Sequence, residues 1–321
     1  MRLRGRPPRE APAIDAAPTL AHDPATICFA RVGEMPSTPL PVFDRRVTPA
    51  RPDLAALSLR GKVEAARFVE GRERRISAAS APLRRAPDAA APLETEALHG
   101  EIAVVYEERG EWAWAQLVRD RYVGYLPTAA LAAPVEPTHR VAALRAHAYA
   151  SANVREPPRL ALSLGALVRV ERFEGDFAAT PEGLRVYARH LARKDRFEPD
   201  FVAVAERFVE TPYLWGGRTS EGIDCSGLIQ SALGAAGIKA PRDSDMMEAA
   251  LGAPLPVEDA LGRLRRGDLI FWKGHVGVMR DAETLLHANG WRMKVASEPL
   301  EEARARIAAQ TRGAITSIRR L

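Results

Sequence analysis

Cysteine is nearly absent from this chain of 321 residues: there are two, Cys28 and Cys225. At most one disulfide can form, which excludes a small secreted scaffold stapled by several bridges. A free thiol suits a reducing compartment. No apolar run approaches the ~18–20 residues that a spanning helix needs. The basic start, MRLRGRPPRE, is not followed by the apolar stretch of roughly 7–15 residues at the heart of a secretory signal. These absences set the expectation of a cytoplasmic protein without membrane insertion. The net charge is +5, yet there is no long Lys/Arg tract, and Glu70, Arg72, Glu73, Arg74 and Arg75 mix the two signs. That reads as a solvated surface with no nucleic-acid partner, while an anionic substrate stays compatible with the excess. Nothing in the pattern calls for a cofactor. Hydrophobic residues make up 46% and charged residues 27%. This is ordinary globular usage, and the length suggests two or three domains.

Along the chain, residues 1–61 are rich in Pro, Ala and Arg and show no sustained period, so they read as an extended or poorly ordered leader that includes Cys28. Residues 62–135 read as all-β. Short strand candidates at 77–84 and 101–108 precede Trp112-Ala-Trp114-Ala-Gln-Leu-Val, which alternates with period two, and Tyr122-Val-Gly-Tyr125-Leu-Pro closes the unit. Trp112 and Trp114 are expected to pack in its core. Residues 136–195 repeat the order more faintly at a spacing of about 65 residues, suggesting a duplicated small barrel. Residues 196–321 change character. A helix from Phe201 capped by Asp200 and a second from Cys225 are followed by strand candidates at 268–272, 275–279, 284–288 and 293–296, then a helix near 300–309 and a last strand. The expected fold class is α+β.

The segment Thr211-Pro-Tyr213-Leu-Trp215-Gly216-Gly217, continued by Asp224-Cys225-Ser226-Gly227, is a Gly-rich loop that opens a helix at a cysteine. Unpaired N–H groups and the positive end of the helix dipole favour thiolate there, and the same N–H groups can donate to an oxyanion. His275 begins an apolar strand and His287 follows twelve residues later in Leu-Leu-His287-Ala-Asn289-Gly. Adjacent antiparallel strands would set the two rings side by side, with His275 as base and His287 as its orienter. A metal site from Cys225, His275 and His287 is conceivable, but no second nearby Cys or HxxxH cluster supports zinc. His99, His139, His147 and His190 read as surface or incidental.

The combination PYLWGG…DCSGL, RxGDLIFW…HVGV and LLHANG resembles the NlpC/p60 family of papain-like cysteine peptidases, over roughly 197–321. The preceding β units resemble bacterial SH3-like domains, through Gly100-Glu101-Ile-Ala-Val-Val, Gly110-Glu-Trp112 and Gly124-Tyr125-Leu-Pro127. The resemblance implies a papain-like NlpC/p60 catalytic domain preceded by two small SH3-like β-barrels. It implies cleavage of the γ-D-glutamyl–diamino-acid bond in murein tri- or tetrapeptides with a free N-terminal L-alanine, in the recycling of wall fragments. By matched position it makes Cys225 the nucleophile, His275 the general base and acid, His287 the polar orienter and Tyr213 the oxyanion-side tyrosine. Asp224 would take the substrate amine. Ser226, Arg242, Asp243 and Ser244 match substrate-contacting positions, and Tyr122 with Glu94 would complete the amine pocket, Glu96 being the rival. Met247 departs from the glutamine of many relatives. The alternatives are a papain-like amidase or acyltransferase on another substrate, and a wall-peptide-binding protein without catalysis.

Overall fold

A computed structural model of the chain describes residues 43–321, so Cys28 lies outside the described residues. Residues 43–61 do not behave as a poorly ordered leader. Leu54 is fully buried, Ala55–Ala56 pairs in parallel with Phe68–Val69, and the Arg46 carbonyl accepts from Val123 N–H at 2.7 Å. The reason is packing: the Leu54-Ala-Ala run is buried, which periodicity over so short a stretch does not reveal.

That first unit is a seven-stranded antiparallel sheet. Its order is Leu93–Leu98, Ser80–Arg84, Val123–Pro127, Trp112–Leu117, Ile102–Arg109, Arg72–Ile76 and Leu131–Ala132. Alternate residues point inward, so Leu83, Ala103, Val105, Ala113, Ala115, Leu117 and Leu126 form one core. The following unit has a three-stranded sheet built on His139–Val141 and a five-stranded sheet built on Arg145–Tyr149. No sheet among the described residues closes on itself, so the expected barrels are open sheets. His99 is buried rather than superficial, with Nδ1 3.1 Å from the Ser77 and Ala78 carbonyl oxygens.

The C-terminal part is mixed α and β. A six-stranded antiparallel sheet runs Ala253–Leu255, Ser317–Arg320, Leu269–Trp272, His275–Met279, Thr284–Asn289, Lys294–Pro299. Both of its faces are covered, which is why Leu269-Ile-Phe-Trp272 is apolar throughout rather than alternating. Leu269 and Phe271 pack with Leu228, Ile229 and Ala232 of helix α2 (Cys225–Ala235). Ile270 and Trp272 pack in the opposite cluster, with Leu300 and Ala303 of a C-terminal helix (Leu300–Ile307). Helix α1 (Phe201–Glu206) starts where Asp200 caps it, accepting from Val202 and Ala203 N–H, and is three residues shorter than its apolar run. No helix among the described residues is long and apolar enough to cross a membrane.

Helix α2 is fixed at its N-terminus by Asp224. One carboxylate oxygen accepts from Gly227 N–H at 2.6 Å and the other from Gly216 N–H at 2.9 Å. Arg242, 1% exposed, spans both oxygens at 3.0 and 2.6 Å, while its Nε donates to Thr95 of the first β unit at 2.7 Å. Arg218 makes a parallel link, to Glu101 and the Glu96 carbonyl. Buried ion pairs add little against a well-packed apolar replacement of both partners, but removing one partner strands the other charge, at about 3–5 kcal/mol. Arg242→Met is therefore expected to lower unfolding stability by about that amount. Urea titration followed by fluorescence checks this, and a change within about 1 kcal/mol contradicts it.

Candidate active site

Cys225 opens α2 directly after the Asp224 cap, so the first-turn geometry of the helix holds the sulfur. It is 8% exposed, yet it lines a cavity of about 510 Å³. The backbone N–H groups of Val276 and Ser226 face the sulfur and lower its pKa. Val276 follows His275, so the sulfur sits against the start of the strand that carries the histidine. That strand begins after a two-residue turn in which Gly274 takes φ +69°, a backbone region that L side chains rarely occupy.

Burial, and then the Asp224 carboxylate, push the Cys225 thiol up to about 11, against the lowering effect of the two N–H groups. The helix N-terminus was expected to favour thiolate by itself. In the folded protein desolvation outweighs it, because the sulfur lies between the helix and the sheet. Ionisation at neutral pH therefore requires a base.

The imidazoles meet as expected. His275 Nε2 lies 2.8 Å from His287 Nδ1, with ring centroids 5.1 Å apart. Gly277 makes room for His287: a Cβ there would come 2.8 Å from Leu285 Cδ1 and 3.2 Å from His287 Cβ. His287 is fully buried, and its Nε2 lies 2.7 Å from Glu298 Oε1. Glu298 is a site residue that sequence reasoning missed. The strand candidate was drawn to end at Ala296, whereas the strand runs to Pro299. Its register pairs Ala296 with His287 and puts Glu298 one diagonal step away on the same face.

The cavity joins three parts of the chain. The catalytic unit lines it with Tyr213, Trp215, Asp224, Cys225, Ser226 and Asp243–Asp245. The first β unit contributes Glu94, Trp114, Tyr122 and Tyr125, and residues 45–52 contribute Arg45, Arg46 and Arg51. Glu94, not its rival Glu96, faces the cavity; Glu96 accepts from Arg218 N–H at 2.8 Å. The Tyr122 hydroxyl lies 3.0 Å from Asp243 and 3.3 Å from Glu94. Burial raises the Asp243 pKa, opposed by Arg242, Tyr122 and Arg46.

Two expected substrate contacts sit differently. Both oxygens of Asp224 are taken by Arg242 and backbone N–H groups, and Arg242 is buried behind the cavity rather than lining it. Arg46, from the stretch read as leader, reaches Asp243 at 2.8 Å and Asp245 at 2.7 Å. Trp112 and Trp114 do not pack in the core as expected: they alternate with the core residues Ala113, Ala115 and Leu117 and so lie on the other face of the strand. There Trp114, 3% exposed, lines the cavity with the Arg51 guanidinium 4.4 Å from its ring centroid. Met247 is buried in the α2 core. Among the described residues no cluster of three or more His, Cys, Asp or Glu side chains is placed to hold a metal ion.

Comparison with known proteins gives this geometry a family context. Residues 210–309 match the model of the NlpC/P60 family, and residues 83–131 match the bacterial dipeptidyl-peptidase Sh3 domain. A dipeptidyl-peptidase 6 of Lysinibacillus sphaericus is 38% identical over 82 residues, 26% of this chain and 29% of that protein. A gamma-D-glutamyl-L-lysine dipeptidyl-peptidase of Bacillus subtilis is 39% identical over 90 residues, 25% of this chain and 28% of that protein. These matches thus span less than a third of the curated relatives' length. The crystal structure of an NlpC/P60 family protein from Bacillus cereus aligns over 78% of this chain and 99% of its own, with TM-score 0.64 and 20% identity, which is a likeness of fold. The chain carries an NlpC/P60 domain preceded by a bacterial Sh3 domain.

The raised thiol generates a test that needs no substrate. His275→Ala is expected to slow iodoacetamide labelling of Cys225 at pH 7 at least about tenfold, with labelling recovered only as pH approaches the thiol's own titration. Labelling at an unchanged rate contradicts the coupling of sulfur and imidazole.

Proposed function

We propose that this NlpC/P60 chain is a cysteine-type peptidase that hydrolyses the γ-D-glutamyl–diamino-acid bond of murein tri- or tetrapeptides with a free N-terminal L-alanine. The observation that carries the reading is one cavity lined by Cys225 together with Tyr122, Glu94 and Asp243, with the His275–His287 pair begun on a strand packed against α2. The names of the two curated relatives add support.

The mechanism is acyl transfer in two steps. His275 takes the thiol proton as the sulfur attacks the γ-carbonyl of D-glutamate, forming an S–C bond. The Cys225 backbone N–H and the Tyr213 hydroxyl receive the oxyanion; one such donor contributes roughly 2.7–4 kcal/mol. The C–N bond breaks as His275 protonates the leaving amine of the diamino acid. Water, deprotonated by His275, then attacks the thioester and releases the acid and the free thiol.

Chain-end selection follows from charge. An ammonium at the N-terminal alanine pairs with the carboxylates around Tyr122, displacing or joining Arg46. A peptide whose alanine amine is acylated brings no cation, so it forgoes this pairing while Arg46 stays on the carboxylates. Asp224, held by Arg242, acts as the frame of this subsite rather than as its amine ligand. Ser226 and Ser244 lie at the cavity wall within reach of the peptide backbone. We place the enzyme in the cytoplasm, acting on imported wall fragments. We also read residues 136–195 as a second SH3-like copy. The meander Arg172–Glu174, Phe177–Ala179, Arg185–Tyr187, with its 3₁₀ turn and short final strand, follows the order of Ile102–Arg109, Trp112–Leu117, Val123–Pro127.

Incubation with L-Ala-γ-D-Glu linked to diaminopimelate or to L-lysine, followed by mass spectrometry, is expected to yield L-Ala-γ-D-Glu plus the free diamino acid. Cys225→Ala, folded, is expected to yield neither. N-acetylation of the substrate is expected to cut kcat/KM at least about tenfold, since the acetylated peptide loses a charged hydrogen bond of about 1.5–3 kcal/mol. Intact substrate with both diamino acids overturns the proposal, and equal rates on free and acetylated peptide remove the amine subsite.

A further inference from the structure

We propose that Glu298 is a positioning residue that selects the tautomer of both imidazoles and, through them, aims a lone pair of His275 at the sulfur. His275, His287 and Glu298 step diagonally across three adjacent strands on one face of the sheet, with contacts of 2.8 and 2.7 Å.

The argument is one of hydrogen-bond arithmetic. An ionised carboxylate can only accept, so His287 Nε2 must carry the hydrogen that faces Glu298. A neutral His287 then presents a lone pair at Nδ1. Its neighbour, His275 Nε2, must donate to that lone pair. His275 is thereby left with its own lone pair on Nδ1, the nitrogen not engaged by His287, and that is the form required of a base toward Cys225. Reversing any one proton along the row would place two donors or two acceptors face to face in a buried site.

Two features hold the row in this state. Glu298 is buried and anchored: Arg306 donates to Oε2 at 2.8 Å and Arg292 lies 3.4 Å from the same oxygen. Burial alone would raise its pKa, but the His287 and Arg306 contacts outweigh it and hold Glu298 well below the usual carboxylate range, so it stays an anion. Burial lowers the pKa of His287, opposed by Glu298 and reinforced by Arg306 and Arg292, so it stays neutral at pH 7. The charged and titratable groups around the row are Cys225 and Asp224 at the head of α2, Arg242 behind them, Arg292 on the loop before Glu298, and Arg306 on the C-terminal helix.

When His275 takes the thiol proton, the Glu298 charge is felt through His287 and stabilises the imidazolium. Only this consequence for turnover rests on the catalytic reading above; the tautomers do not. Nitrogen NMR of ¹⁵N-histidine-labelled protein at pH 7 is expected to show His275 and His287 both protonated at Nε2. His287 protonated at Nδ1 overturns the proposal without any substitution. In Glu298→Gln, with the thermal midpoint checked, Cys225 labelling by iodoacetamide at pH 7 is expected to fall at least about fivefold and to return at alkaline pH. Glu298→Asp is expected to restore part of it. In peptide hydrolysis kcat falls while KM holds. An unchanged labelling profile in folded Glu298→Gln overturns the inference, whereas failure to cleave murein peptides with the tautomers as stated overturns the substrate assignment instead.

Discussion

The carboxylate of Asp224 is the point on which the site turns. It caps the helix that begins at Cys225, ties down the Gly-rich loop through Gly216, and pairs with an arginine that in turn reaches Thr95 of the first β unit. A buried aspartate is tolerable here because each oxygen meets donors, one of them charged. The same ion pair therefore sets the direction of α2, the position of the sulfur and the seating of the β unit against the catalytic unit. The cavity wall made by Tyr122 and Glu94 depends on that seating.

Around this frame the charges are arranged in opposition. Burial and Asp224 keep the sulfur protonated at rest, while the His275–His287 row supplies the base. Such a site holds its nucleophile in reserve until the base is engaged, which limits side reactions of the thiol. On the other wall, Arg46 covers the acids Asp243 and Asp245, so the carboxylates suited to an ammonium are already satisfied by a cation of the chain itself.

Much of the site was legible in the sequence because its members lie in short motifs with strong local signatures. A Gly-rich loop into a helix announces Cys225. An apolar strand beginning at His275, followed by another holding His287, announces the ring pair through simple antiparallel register. Glu298 was not legible, since it lies on a strand whose Lys-Val-Ala-Ser-Glu-Pro sequence has weak apolar alternation, and its partner is set by tertiary register. Arg46 was hidden for a related reason. Residues 43–61 carry almost no periodic signal, and their order comes from contact with a distant surface. The Arg242 partner of Asp224 was not legible either, because sequence places Asp224 beside Cys225 but says nothing of the arginine folded against it. Ordinary strand alternation foretold the β strands but not that their sheets stay open, since closure into barrels depends on strand tilt and stagger, which local pattern does not carry.

The most direct measurement is active-site mapping with L-Ala-γ-D-Glu bearing a chloromethyl ketone in place of the scissile amide. The account predicts a single adduct on Cys225, found by tandem mass spectrometry, that free peptide substrate prevents. An adduct on another residue, or labelling of Cys225 that substrate does not slow, would contradict it.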